Sequence, residues 1–286
     1  MEIVSTVVEL RQRVSGWRRQ GQTVAFVPTM GNLHPGHLAL VSDACAQADR
    51  VIVSIFVNPT QFGPGEDFEA YPRTLKQDCD ALASVGVALV FAPTVDEMYP
   101  GGPDASTRVE VPGLSDDLCG RFRPGHFTGV ATVVARLLNM VQPDIGIFGR
   151  KDYQQFLVIQ RLARDLAFPV RIVGAPTVRE PDGLAMSSRN AYLSEEERAQ
   201  APVLFQELLR AARRIQEGER DYQVICADAR ARLEAAGFGS EYFEVRRGAD
   251  LKEPGPEDTD LVILLAARLG RARLIDNLAV ELPAGA

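Results

Sequence analysis

The chain has 286 residues, 46% of them hydrophobic, enough for one large domain or two unequal ones with real cores. Its 31 basic and 38 acidic residues leave a formal charge of −7, which argues against nucleic-acid binding through a global basic field. Four cysteines, Cys45, Cys79, Cys119 and Cys226, stand far apart with no C-x-x-C pair, the spacing of reduced thiols rather than of a disulfide framework or a zinc site. No apolar run approaches membrane length and Met1-Glu2-Ile3 opens no signal peptide, so a soluble cytoplasmic protein is expected, without membrane or nucleic-acid partners.

Taken in order, Val7, Leu10, Val14 and Trp17 recur at helical spacing. The apolar run 24–27 ends at Pro28 and Gly31, so a strand stops there and a loop begins. Pro35 stands where a first helical residue is favoured, and Leu38, Val41, Cys45 and Ala48 continue as an amphipathic stripe. A second strand at 51–57 is almost entirely β-branched, as in a parallel sheet covered on both faces, and gives way to the loop Asn58-Pro59-Thr60-Gln61-Phe62-Gly63. A helix follows with Leu75, Cys79, Leu82 and Val85 on its inner face, then a strand at 88–92. Residues 94–119 are irregular, with an edge strand expected at 108–111. Arg123, His126 and Gly129 lead into a helix carrying Val130, Val133, Leu137 and Val141. A strand at 144–148 stops at Gly149, with Asp152 as a helix N-cap, and a strand at 170–173 closes the alternation.

This β-α alternation predicts a doubly wound parallel sheet rather than a barrel. Arg179-Glu180-Pro181-Asp182-Gly183 reads as a turn, and Ser194 with Glu197 as a capping box. The domain boundary is expected near there, with a first domain at 1–188 and a smaller α+β domain at 189–286. The second domain should hold helices around Leu204–Ile215 and 221–236, then mainly antiparallel strands at 242–246, 261–268 and 271–275.

Chemistry-bearing residues gather in the loops. His34 and His37 stand beside a helix N-terminus, which attracts phosphate. A turn whose histidines only cap and solvate is the plainer alternative. For His126, a catalytic and a half-buried structural reading both stay open. Lys151, in Gly149-Arg150-Lys151-Asp152-Tyr153-Gln154-Gln155, occupies a strand-to-helix turn suited to a polyphosphate, or else is an ordinary solvated base. Met186-Ser187-Ser188-Arg189-Asn190 offers hydroxyls and a planar guanidinium to phosphate oxygens, or serves as a linker. Gln61 offers donor and acceptor together, which suits a small hydroxy acid.

Val27-Pro28-Thr29-Met30-Gly31-Asn32-Leu33-His34-Pro35-Gly36-His37 resembles the H-x-G-H signature of nucleotidyl-transferring enzymes on a Rossmann-like fold. With the G-x-K-D-x-Q-Q and M-S-S-R-N runs, the stretch from about Val24 to Asn190 resembles the pantothenate synthetase (pantoate–β-alanine ligase) family. The resemblance implies condensation of pantoate with β-alanine through a pantoyl adenylate, with ATP as substrate, Mg²⁺, release of AMP and pyrophosphate, and a homodimer whose C-terminal domain acts as a lid. It implies catalytic roles for His37, His34 and Lys151. It implies ATP contacts from Met30, Gly31, Asn32, Leu33, His34, Pro35, Gly36 and His37, from Gly149, Arg150, Lys151 and Asp152, and from Val178, Met186, Ser187, Ser188 and Arg189. Arg150 departs from the acidic or polar residue usual in the family and has no separate role. Gln61 and Gln155 would hold pantoate, with Gln61 also near β-alanine; Asp78 would reach Mg²⁺ through water, and Arg123 would lie near the pantoate end. The alternatives are another H-x-G-H nucleotidyltransferase and a non-catalytic nucleotide-binding module. An aminoacyl-tRNA synthetase is disfavoured by the acidic balance and the lack of room for an anticodon domain.

Overall fold

A computed structural model describes residues 1–283. By internal contacts the chain divides into two compact units. The first comprises Met1–Arg150 and Gln155–Pro176, and the second comprises Lys151–Gln154 and the chain from Thr177 onward. The passage between them thus falls twelve residues ahead of the boundary expected after Ser188, and the short Lys151–Gln154 segment belongs with the second unit.

The first unit is a six-stranded parallel sheet. Its strands are β1 (Glu2–Val4), β2 (Val24–Thr29), β3 (Arg50–Ile55), β4 (Leu89–Phe91), β5 (Ile145–Gly149) and β6 (Arg171–Ala175), in the spatial order β1-β4-β3-β2-β5-β6. The chain builds outward from β2 through β3 to β4, then returns to place β5 on the other side of β2. Loops after β2 and β5 therefore diverge, and the cleft they leave at the carboxyl ends of the strands is where open α/β sheets bind ligands. Val24, Ala25, Phe26 and Val27 are all fully buried, so β2 is covered on both faces, as its unbroken apolar run predicts. Ala25, Val27, Val51 and Val53 share one core with Val41 and Ala44 of the helix Pro35–Gln47.

Two local expectations need correction. Residues 108–111 form no strand; the Val109 N–H donates to the Thr132 hydroxyl at 2.9 Å, so a helix side chain satisfies the backbone that an edge strand would have paired. Conversely β1 pairs with β4, from Glu2↔Leu89 to Val4↔Phe91, although three residues are too short to show an alternating pattern.

The second unit holds an antiparallel sheet, β7 (Gly239–Arg247), β8 (Asp260–Leu269) and β9 (Ala272–Glu281), in that order. The helices Val203–Gln216 and Tyr222–Ala235 share its core, where Leu204, Leu208 and Ile215 meet Phe243, Ile263 and Leu265. Ser194 and Glu197 form the capping box read from the sequence, opening the helix Glu195–Gln200. No helix among the described residues is long and apolar enough to cross a membrane.

Candidate active site

The turn after β2 is held by residues distant in the chain. Gly31 has φ +78°, and a Cβ there would lie 3.0 Å from Asp78 Oδ2 and 3.1 Å from Ile55 Cγ2, so only glycine fits. Asn32 also adopts positive φ, at 51°. What holds this strained turn is Asp78, 3% exposed in the first turn of the helix Leu75–Ser84. Its Oδ2 accepts the Asn32 N–H at 3.0 Å and the Thr74 hydroxyl at 3.1 Å, and its Oδ1 accepts the Leu33 N–H at 2.8 Å. Asp78 therefore clamps the loop. A carboxylate offers about four lone-pair positions, and three are taken here.

His34 is the N-cap of the helix Pro35–Gln47, and the two histidines form a capping box. The His34 Nδ1 accepts the Gly36 N–H at 3.1 Å, and the His37 Nδ1 accepts the His34 N–H at 3.3 Å. The ring centroids are 4.0 Å apart. A nitrogen accepting a hydrogen bond carries no proton, so each neutral ring has its proton on Nε2. Capping through Nδ1 thus fixes the tautomer of both rings beside the positive end of a helix.

The turn after β3 is built around Asn58, 1% exposed. Its Oδ1 accepts from the Tyr99 hydroxyl at 2.7 Å and the Thr60 hydroxyl at 3.0 Å, and its Nδ2 donates to the Gly129 carbonyl at 3.2 Å and to Gln61 Oε1 at 3.1 Å. The Gln61 amide also donates to Met30 Sδ at 3.1 Å, joining this turn to the histidine loop. At Gly129 a Cβ would meet the Thr60 carbonyl oxygen at 2.2 Å, so the absence of a side chain lets the helix His126–Val141 lie against the turn.

His126 braces the turn after β3. Its Nδ1 lies 2.8 Å from the Gln61 carbonyl, and its Nε2 lies 3.0 Å from Arg123 Nη1. Arg123 can only donate, so Nε2 accepts and the Nδ1–H donates to the carbonyl. Arg123 grips Glu66 through two bonds of 2.7 and 2.6 Å. Burial pushes the Glu66 carboxyl upward, but the Arg123 fork outweighs it and holds the group at about 2.

Beyond β5, Gly149 closes the strand and Arg150–Asp152 form a 3₁₀ turn leading into the helix Tyr153–Asp165. Gln155 is half-buried in the first turn of that helix. Gln61 and Gln155 thus follow the two strands that flank β2, on either side of the histidine turn. The Arg150 guanidinium lies 6.0 Å from the Phe156 ring centroid.

The other residues for which the resemblance implies nucleotide contacts, Lys151 and Asp152 with Val178 and Met186 through Arg189, belong to the second unit. Val178 and Met186 face each other across a tight hairpin, where the Met186 N–H donates to the Val178 carbonyl at 3.0 Å and Gly183 turns the chain at φ +94°. Ser187 caps the 3₁₀ turn Ser188–Tyr192, its hydroxyl accepting the Arg189 N–H at 3.3 Å. The Lys151 side chain is 19% exposed, its Nζ 4.0 Å from Asp152 Oδ2.

Among the described residues no group of three or more His, Cys, Asp or Glu side chains could hold a metal ion. Three of the acceptor positions of Asp78 are taken by the loop and Thr74, and the described residues form no carboxylate cage around it. A Mg²⁺ arriving with a nucleotide would take phosphate oxygens and water as its main ligands.

Asn58, Tyr99, Glu66, Asp276 and Asn277 did not emerge from the sequence. Asn58 carried a usable signal, an Asn-Pro step directly after a strand. So did Asp276-Asn277, two polar residues inside an otherwise apolar run.

A parallel sheet in this order, with an H-x-G-H turn at its switch point, defines a nucleotide-binding α/β enzyme of the nucleotidyl-transferring class. Residues 2–279 match the family described as pantoate-beta-alanine ligase. The pantothenate synthetase of Pseudomonas fluorescens strain Pf-5 is 56% identical over 282 residues, 99% of each chain. The crystal structure of the pantothenate synthetase from Thermus thermophilus superposes with a TM-score of 0.90 at 48% identity, covering 97% of this chain and 99% of that one. The Francisella tularensis pantoate-beta-alanine ligase, complexed with beta-gamma ATP and beta-alanine, superposes with a TM-score of 0.82 at 34% identity, covering 97% of each chain. The chain belongs to the pantoate–β-alanine ligase family, the pantothenate synthetases, and its activity is the ATP-dependent condensation of pantoate with β-alanine.

Proposed function

We propose that the condensation runs through a pantoyl adenylate. A pantoate carboxylate oxygen bonds to the α-phosphorus of ATP, and the bond to the β-phosphate oxygen breaks to release pyrophosphate. The neutral amine of β-alanine then bonds to the acyl carbon and loses a proton, while the bond from that carbon to the oxygen bridging it to phosphorus breaks, so AMP departs with that oxygen and the electron pair. The first step brings one anion against another, so the site must supply donors and positive charge where negative charge grows. The observation that supports this reading is the His34–His37 capping pair, whose bonds at Nδ1 place the proton of each neutral ring on Nε2 and seat both rings at a helix N-terminus.

His37 is the leading stabiliser of the α-phosphate in the transition state, with His34 beside it. Met30, Gly31, Asn32, Leu33, Pro35, Gly36, Gly149, Val178 and Met186 line the nucleotide largely through backbone and van der Waals contact. Lys151, Ser187, Ser188 and Arg189 bind the phosphates that leave. Gln61 and Gln155 hold pantoate, with the Gln61 backbone braced by His126. MgATP is the nucleotide substrate. By family analogy the working form is a cytoplasmic homodimer, which sedimentation of the purified chain tests. Product analysis with ATP, pantoate and β-alanine tests the chemistry: AMP and pyrophosphate should form only when pantoate is present. Steady ADP formation, or equal turnover with unrelated carboxylic acids, would overturn it.

A further inference from the structure

The strand β9 buries two consecutive polar residues, Asp276 at 5% and Asn277 at 8% exposure, between the apolar Leu274-Ile275 and Leu278-Ala279-Val280. Burial of such groups is unfavourable unless partners satisfy them, so their partners indicate why they are there. Asp276 accepts from both terminal nitrogens of Arg179, at 2.6 and 2.9 Å. Arg179 is part of the Val178–Met186 hairpin, and its guanidinium stacks 3.8 Å over the Phe205 ring. It also donates to the Asn277 carbonyl at 3.2 Å. The Asn277 side chain faces a different segment: its Nδ2 donates to the backbone carbonyl of Lys151 at 2.8 Å. Tyr153 ties the same short segment down from its other end, its hydroxyl donating to the Gly248 carbonyl at 3.0 Å.

We propose that Asn277 is a positioning residue for Lys151, setting where that lysine's backbone stands relative to the hairpin that carries Met186 through Arg189. The inference rests on the role proposed above for Lys151 in stabilising the departing pyrophosphate. Lysine is a flexible point charge on a long stem, so its effectiveness depends on where its backbone is fixed. A side-chain amide holding the carbonyl of that same residue fixes it directly. The neighbouring Asp276–Arg179 pair anchors the hairpin to the same two residues of β9, so both phosphate-directed segments of this unit share one origin. Small displacements of such groups lower rates steeply, by up to about a hundredfold for 1 Å.

The test separates the half-reactions in the full-length enzyme. Pantoate-dependent pyrophosphate exchange reads adenylation, and transfer from chemically prepared pantoyl adenylate to β-alanine reads the second step. Asn277→Ala should lower exchange by about tenfold or more and leave transfer near the parent rate, which also certifies the fold. In a Lys151→Ala background the same substitution should lower exchange no further, because the group it positions is gone. Where Asn277→Ala does not fold, Asn277→Ser carries the same test. Parent-level exchange in Asn277→Ala beside crippled exchange in Lys151→Ala would overturn the inference and leave the lysine's role standing. An equal fall in both half-reactions, or losses that simply add in the double variant, would also overturn it. Parent-level exchange in Lys151→Ala itself would remove the proposed role of the lysine, and the inference with it.

Discussion

The two units place their polar groups in different parts of their sheets. In the parallel sheet every functional loop follows the carboxyl end of a strand, and the buried polar residues that hold it sit at strand or helix ends: Asn58 just after β3, Asp78 in a first helical turn. In the antiparallel sheet Asp276 and Asn277 lie in mid-strand. A doubly wound sheet brings successive loops to one edge by topology alone, so small clamps suffice to fix them. An antiparallel sheet has no such convergent edge, and here the Val178–Met186 hairpin and the Lys151–Gln154 segment are tied to the strand interior by buried hydrogen bonds instead. Buried polar groups therefore hold loops in both units, but the second unit draws them from mid-strand.

That contrast can be broken by substitution. Its largest consequence falls on the second unit: Asp276→Ala leaves Arg179 without its carboxylate and should lower unfolding free energy by roughly 3–5 kcal/mol, read from urea denaturation. The wild-type carboxyl is pushed upward by burial, with Arg179 and Lys151 opposing the rise. A loss under about 1 kcal/mol would mean that the mid-strand pair is dispensable and the contrast false.

His37→Ala sharpens the other side, because the first unit should keep its fold when its chemistry is removed. Turnover should fall by about a hundredfold or more, the usual cost of losing one transition-state donor, with little change in melting temperature. Near-normal turnover with only a raised KM would reduce His37 to ground-state binding.

The Glu66–Arg123 pair tests how strongly a strand-end clamp depends on charge. The folded carboxyl is held at about 2 against an ordinary 4.5, so its stabilisation is present above the unfolded value and fades as pH falls from about 4.5 through about 2. Glu66→Gln should thus cost about 2 kcal/mol at pH 7, allowing for partial exposure, and progressively less toward pH 2. A cost independent of pH would show that the pair acts by shape rather than charge.

The smallest effect is expected at Tyr99, fully buried with its hydroxyl on Asn58. Asn58 Oδ1 keeps the Thr60 backbone and hydroxyl donors, so Tyr99→Phe should cost only about 1 kcal/mol in thermal unfolding. A several-fold larger loss would make this hydroxyl the true keystone of the Gln61 turn.

The sequence by itself determined the doubly wound sheet, the smaller antiparallel unit, and the loops that carry the chemistry. Unbroken β-branched runs and the 3.6-residue stripes are local signals, and motifs such as H-P-G-H or M-S-S-R-N lie within a few residues of one another. What only the tertiary structure decided was the role of groups whose partners are far along the chain. Asp78 holds amides 45 and 46 residues away, a meeting that no local pattern around it announces. His126 braces a carbonyl 65 residues earlier, and Asn277 reaches one 126 residues back. A side chain's periodicity states which face it occupies. Whether its polar end finds a backbone amide, a carbonyl or a ligand depends on which distant segment the fold delivers to that face, and no local pattern encodes that meeting.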